Sequence, residues 1–175
     1  YEAGDDITTG QQNTLVGGLA GDKLTDADYN VVMGLNSLGT DTRGSRSTAV
    51  GYSTLAEQNF TSAANSHNSA FGYVAGQSVT TGTSNTLIGA QAGASITTGS
   101  NNTILGPGAG DVMQTGSTNK FIGVNCGGSG NVSGSSNTAM GNTAGNDLTS
   151  GSNNLLLGND AGRSGSPGGS ITTTS

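Results

Sequence analysis

Two apolar or small residues followed by glycine recur along almost the whole chain, and nothing else in the sequence constrains the fold as tightly. The triplet stands at Leu15-Val16-Gly17, Val32-Met33-Gly34, Ala49-Val50-Gly51, Ala70-Phe71-Gly72 and Leu87-Ile88-Gly89. It continues at Ile104-Leu105-Gly106, Phe121-Ile122-Gly123, Ala139-Met140-Gly141 and Leu156-Leu157-Gly158. Successive glycines lie 17 residues apart, except for 21 between Gly51 and Gly72 and 18 between Gly123 and Gly141. Self-similarity at a fixed period of this length is the signature of a stacked-repeat architecture.

Further slots share the frame. Four residues before the glycine stands Asn13, Asn30, Asn68, Asn85, Asn102, Asn119, Asn137 or Asn154, with Ser47 in the third unit. Three and four residues after it comes a small residue and then glycine, as in Ala20-Gly21, Ala92-Gly93 and Cys126-Gly127. The second and third units depart from this, with Ser37-Leu38 and Thr54-Leu55. An apolar–Thr–Thr/Ser–Gly element follows at Ile7–Gly10, Val79–Gly82, Ile96–Gly99 and Leu148–Gly151.

Each unit holds two short extended pieces separated by glycine turns. Its apolar residues lack helical spacing, and its glycine content opposes a helix. One unit cannot bury its own apolar face, so units must stack. The expected fold is all-β, a parallel β-solenoid of about nine 17-residue coils. At about 4.8 Å per coil it makes a rod roughly 40 Å long. Residues 1–6 read as an N-terminal extension and 7–162 as the solenoid. A surface insertion falls near 57–67, and 163–175 form a tail or partial coil. Tyr1 reads as the start of a processed or excised chain.

Stacking places the eight asparagines above one another, where their amides form a ladder. Along Asn-Thr-apolar-apolar, successive side chains face opposite ways. The slot just before the glycine is always large (Val16, Met33, Val50, Phe71, Ile88, Leu105, Ile122, Met140, Leu157), which assigns it to the interior. The Ala slot and Ile7, Val79, Ile96 and Leu148 join it there. The preceding slot then forms an outer apolar stripe, and Leu15, Val32, Leu87, Ile104, Phe121 and Leu156 are its trimer-interface candidates. The reverse assignment also satisfies alternation and also leaves an exposed stripe, which calls for a partner.

Composition closes other routes. With 32 glycines and 9% charged residues, a single large hydrophobic core is hard to assemble. Only two prolines are present and no charge lies between Gln58 and Gly110, which argues against disorder. The net charge of −6 disfavours nucleic acid and anionic membranes as partners. No apolar run is long enough to insert into a membrane.

Chemistry is sparse. His67 and Cys126 are the sole histidine and cysteine, so no zinc cluster is expected, and neither a cofactor nor a catalytic role is assigned. Cys126 occupies the Ala slot and reads as a small buried residue; His67 falls in the insertion loop. Glycines lack the lysine of a phosphate loop and the Asp spacing of calcium nonapeptides. Asn59-Phe60-Thr61, Asn101-Asn102-Thr103 and Asn131-Val132-Ser133 match glycosylation triplets, but ladder composition generates these by itself. Tyr52 and Tyr73 follow the repeat glycine in successive coils. They are expected to stack, and they make a candidate glycan platform.

Thr48-Ala49-Val50-Gly51-Tyr52 and Asn137-Thr138-Ala139-Met140-Gly141 resemble the head repeats of YadA-like trimeric autotransporter adhesins. The 17-residue form with Ala-Gly and Thr-Thr-Gly-Ser-Asn-Asn is similar to arrays in phage tail-fibre proteins and bacterial surface proteins, which often precede an endosialidase-type chaperone domain. The resemblance spans about residues 7 to 162. It implies a left-handed β-roll, three chains side by side, in an extracellular fibre on a bacterial surface or virion tail. The partners it implies are other copies of the chain and a host-surface glycan or protein receptor. A filament polymerising end to end is the alternative, suggested by Ile7-Thr8-Thr9 and Ile171-Thr172-Thr173 at opposite ends. An ice-binding solenoid is a third reading, against which the Thr rows break in the second and third units.

Overall fold

The computed structural model describes residues 2–128 and 132–163. Residues 163–175 of the expected tail, apart from Arg163, and Asn131 lie outside the described residues. Each repeat contributes one three-residue strand to a single parallel sheet. The strands are β1 (Thr14–Val16), β2 (Val31–Met33), β4 (Thr48–Val50), β6 (Ser69–Phe71) and β7 (Thr86–Ile88). They continue with β8 (Thr103–Leu105), β9 (Lys120–Ile122), β10 (Thr138–Met140) and β11 (Leu155–Leu157). Spatial order follows chain order, β1-β2-β4-β6-β7-β8-β9-β10-β11, and every equivalent residue sits in register with the next. Coils are numbered here by repeat glycine, from Gly17 in coil 1 to Gly158 in coil 9. No helix occurs among the described residues. The molecule is a parallel β-solenoid.

The corners hold together through the same coil-to-coil register. Gly76 N–H donates to Ala92 O at 3.0 Å and Gly93 N–H to Ala109 O at 2.9 Å. The repeat glycine turns the chain at φ values such as 133° in Gly89, and a Cβ there would lie 2.6 Å from the Gly106 carbonyl carbon. Close stacking of backbone on backbone therefore requires glycine at this corner on both counts.

The interior reverses the expected facing. Val32, Leu87, Ile104, Phe121 and Leu156 are buried, and Leu15 is partly buried against the same core. The six trimer-interface candidates thus line the chain's own interior. Val16, Met33, Phe71, Ile88, Leu105, Met140 and Leu157, expected inside, are exposed, and Val50 and Ile122 are half-buried. Parity explains this. The ladder asparagines from Asn30 to Asn137 are buried, with Asn13 and Asn154 half-buried at the ends, and the residue two positions on shares their face of the strand. Size suggested the wrong slot; the asparagine fixed the right one. The Ala slot, Val79 and Ile96 are interior as expected, with Ile7 and Leu148 packed against them.

Two boundaries also shift. Gly4 and Asp6 already donate backbone hydrogen bonds to Ala20 O and Asp22 O, at 3.1 and 2.9 Å, so the stack begins before residue 7. The insertion is not a simple surface loop. Gln58, Phe60 and Ser66 are buried, and β5 (Ala64–Asn65) pairs in parallel with β3 (Gly44–Ser45). Glu57, Asn59, Thr61–Ala63, Asn65 and His67 are exposed between them.

Candidate interaction face

The Asn ladder forms as expected, but inside the coil. Asn85 N–H donates to Asn68 Oδ1 at 2.9 Å, Asn102 N–H to Asn85 Oδ1 at 3.0 Å and Asn119 N–H to Asn102 Oδ1 at 2.9 Å. Asn30 follows Asn13, Asn137 follows Asn119 and Asn154 follows Asn137 in the same way. From Asn13 to Asn137, each ladder amide also donates from Nδ2 to a carbonyl 14 or 15 residues on, at 2.7 to 3.0 Å. A buried amide is costly unless bonded. Here it ties the start of one strand to the corner of the next coil.

A second ladder escaped the sequence reading. Thr83 N–H donates to Ser100 Oγ at 3.0 Å, Ser100 N–H to Ser117 Oγ and Ser117 N–H to Ser135 Oγ at 3.1 Å, and Ser135 N–H to Ser152 Oγ at 3.0 Å. Asp28 N–H uses Ser45 Oγ in the same slot at 2.9 Å. The signal was the serine two residues before the ladder position in most units (Ser45, Ser66, Ser100, Ser117, Ser135, Ser152), which reads equally well as a generic turn residue.

With the interior filled, the outer face of the sheet carries two columns. One holds Thr14, Thr48, Ser69, Thr86, Thr103 and Thr138, interrupted by Val31, Lys120 and Leu155. The other is the apolar column from Val16 to Leu157. The columns stand about 7 Å apart along the strands, and the rungs about 4.8 Å apart.

Just past the glycine corner lies a third column. Leu35, Tyr52, Tyr73, Ala90, Pro107 and Val124 are exposed in six consecutive coils. In those coils an apolar residue flanks each repeat glycine on both sides, from Met33 and Leu35 to Ile122 and Val124. The third column is Gly18 in coil 1 and turns polar in the last coils, with Asn142 and Asn159. The result is an apolar edge bounded at both ends.

The tyrosine pair stacks as expected, with ring centroids 5.4 Å apart and planes at 11°. Each ring therefore covers one face of the other, and a sugar is offered outer faces and ring edges rather than a broad platform. Tyr29 sits apart, with the Arg46 guanidinium 5.5 Å from its ring centre.

Lys120 stands on the outer face of coil 7, whereas the ion pairs lie in the first coils and at the last. Lys23 pairs with Asp6 and Asp22 at 3.2 and 3.3 Å, and Arg43 with Asp26 at 3.5 Å. The Lys23–Asp6 and Arg43–Asp26 pairs are exposed and of small energetic weight, whereas Asp22 is buried. The Asp6 and Asp22 carboxylates hold the Lys23 ammonium above its usual range. Cys126 is fully buried, and burial pushes its thiol up to about 11. Among the described residues no group of three His, Cys, Asp or Glu side chains is placed to hold a metal ion.

No family model, no curated protein and no solved structure matches this chain.

Proposed function

We propose that this chain is a structural and adhesive segment of an extracellular fibre, a rigid rod that associates side by side with copies of itself. The observation that carries the reading is the apolar edge of coils 2 to 7, with exposed columns on both sides of the repeat glycine. An apolar surface this regular on a soluble rod needs covering. Over those six coils one face alone, about 29 Å by 10 Å, offers about 290 Å², well under the ~800 Å² per partner in a typical stable interface. Two different apolar faces meeting at one edge fit a heterologous contact, in which one face meets the next copy's other face and the ring closes. Three rods packed with their glycine edges inward satisfy that geometry, which agrees with the resemblance to trimeric adhesin heads and tail-fibre arrays. Receptor contacts, to a surface glycan or protein, fall to exposed groups outside the seam, such as Thr61–Ala63 and Tyr29. No catalytic role is assigned.

The test is native mass measurement across a concentration series. A discrete trimer is expected. Replacing Ile88, Leu105 and Ile122 together by Ser is expected to give a monomer with unchanged circular dichroism. A wild-type chain that stays monomeric at high concentration overturns lateral association.

A second reading rests on a different observation: among the described residues, β1 and β11 are each paired on one side only. Unpaired strand edges favour end-to-end addition of another copy. Open-ended growth in the same measurement, unaffected by the triple Ser variant, favours that filament.

A further inference from the structure

We propose that Tyr52 and Tyr73 form a built site for oxidative crosslinking, in which a dityrosine bond staples coil 3 to coil 4. The two residues occupy the same slot of successive coils, and the strands before them are locked in register, Val50 opposite Phe71. Backbone bonds close on either side: Gly72 N–H donates to Val50 O and Val74 N–H to Tyr52 O, both at 2.9 Å. The rings stand nearly parallel at 5.4 Å, and in the single rod the residues are 48% and 58% exposed, so a soluble oxidant reaches both before rods associate through that edge. Competing sites are few. The chain has no Trp, its one Cys is buried, and of its two other tyrosines Tyr1 is the first residue and Tyr29, though exposed, is paired with Arg46 rather than with a second phenol.

The chemistry requires a one-electron oxidant, here hydrogen peroxide acting through a haem peroxidase. Each phenol gives up one electron and its hydroxyl proton, leaving a tyrosyl radical. The two radicals join through a new carbon–carbon bond between ring carbons ortho to the oxygens. The hydrogens on those carbons move to the oxygens as the rings regain aromaticity. The protein loses two hydrogens in all, and one peroxide becomes two waters. Pre-stacking matters because radical coupling between rings held in place outruns encounter between separate molecules. The bond would close a loop across the 21-residue repeat, where Gln58, bonded to Asp41 of the preceding coil, replaces the usual apolar interior. A crosslink there restricts the unfolded chain and raises the melting midpoint.

The experiment mixes light and isotope-labelled chain carrying the Ile88→Ser, Leu105→Ser and Ile122→Ser substitutions, which keep the edge open, treats it with peroxidase and peroxide, and reads dityrosine fluorescence and linked peptides by mass. The expected product is a peptide joining Tyr52 to Tyr73 with two hydrogens lost, all light or all labelled, and a raised melting midpoint. Y52F and Y73F each lose the signal, whereas Y29F keeps it. Mixed light–labelled peptides, a signal that survives in Y52F, or no signal where free N-acetyl-tyrosine couples in the same tube each overturns the proposal.

Discussion

Coils 2 and 3 and coils 4 to 6 run on the same backbone but fill it differently. In the later coils the interior is apolar: Ala75, Ala92 and Ala109 at the small slot, and Val79, Ile96 and Met113 seven residues after the repeat glycine. In coils 2 and 3 those slots hold Ser37 and Thr54, then Asp41 and Gln58, all buried. The ladder position is Ser47, and the repeat is lengthened by four residues just beyond. These changes are coupled. Asp41 Oδ1 accepts from Gly44 N–H and Phe60 N–H at 3.0 Å, and its Oδ2 from Gln58 Nε2 at 2.5 Å. Gln58 Nε2 also reaches Ser47 Oγ at 3.0 Å, and Gln58 Oε1 accepts from Asn68 Nδ2 at 2.8 Å. The missing asparagine is thus replaced by a side chain from the insertion, which carries the ladder across the gap. Volume is restored separately. Leu38 and Leu55 turn inward from left-handed corners where other coils have glycine, and a Leu55 δ-carbon lies 3.0 Å from where a Cβ on Gly76 would sit. A solenoid coil tolerates a polar plug only as a complete network, because a half-bonded one is worse than an apolar filling.

The sharpest way to break this comparison is to truncate the same slot in both regions. Asp41→Ala strands the Gln58 amide and the Phe60 and Gly44 N–H groups, and is expected to cost about 4 kcal/mol. Ile96→Ala removes only buried hydrocarbon and is expected to cost about 3 kcal/mol. The decisive quantity is coupling. In urea melts, Asp41→Ala and Gln58→Ala should be non-additive by at least ~1 kcal/mol. Strict additivity there shows that the two side chains do not act as a unit.

A smaller effect separates the two accounts of Ser47. A pure ladder rule predicts that Ser47→Asn stabilises the rod by completing the column. The structure predicts the reverse, a loss of about 1–2 kcal/mol. Ser47 Oγ lies 2.5 Å from Ser66 Oγ and within reach of Gln58, so an amide has no room. A raised melting midpoint in this variant restores the ladder rule and removes the plug as an explanation.

How far the sequence could be read follows the same divide. The stack, its coil spacing and the Asn column were legible because glycine and asparagine recur in fixed slots whatever fills the interior. The facing of the apolar pair was legible too, since Asn13 and Leu15 must share a face, but side-chain size at Val16, Met33 and Phe71 pointed the other way. The plug was not legible. Asp41 and Gln58 look like turn residues until the coils bring them within bonding distance across 17 positions. The outer apolar column could be inferred only after parity was settled, and its extension through Leu35, Tyr52, Pro107 and Val124 carries no repeat identity beyond exposure.

The smallest effect tests whether the regular interior is as uniform as its composition suggests. Cys126 stands where Ala92 and Ala109 stand in earlier coils, is equally buried, and donates from its thiol to Ala139 O at 3.2 Å. At pH 7 the thiol is neutral in both folded and unfolded chains, so Cys126→Ala is expected to change stability little. Above that the sign is fixed by burial. The ordinary thiol ionises near 9.0 and the buried one near 11, so between those values the unfolded chain loses its proton first. Unfolding is then favoured as pH rises, by about 1 kcal/mol at pH 10. The wild-type melting midpoint should fall relative to Cys126→Ala across pH 9 to 11 and run parallel to it below pH 8. Parallel curves throughout would place the thiol in contact with solvent and make this corner unlike its alanine counterparts.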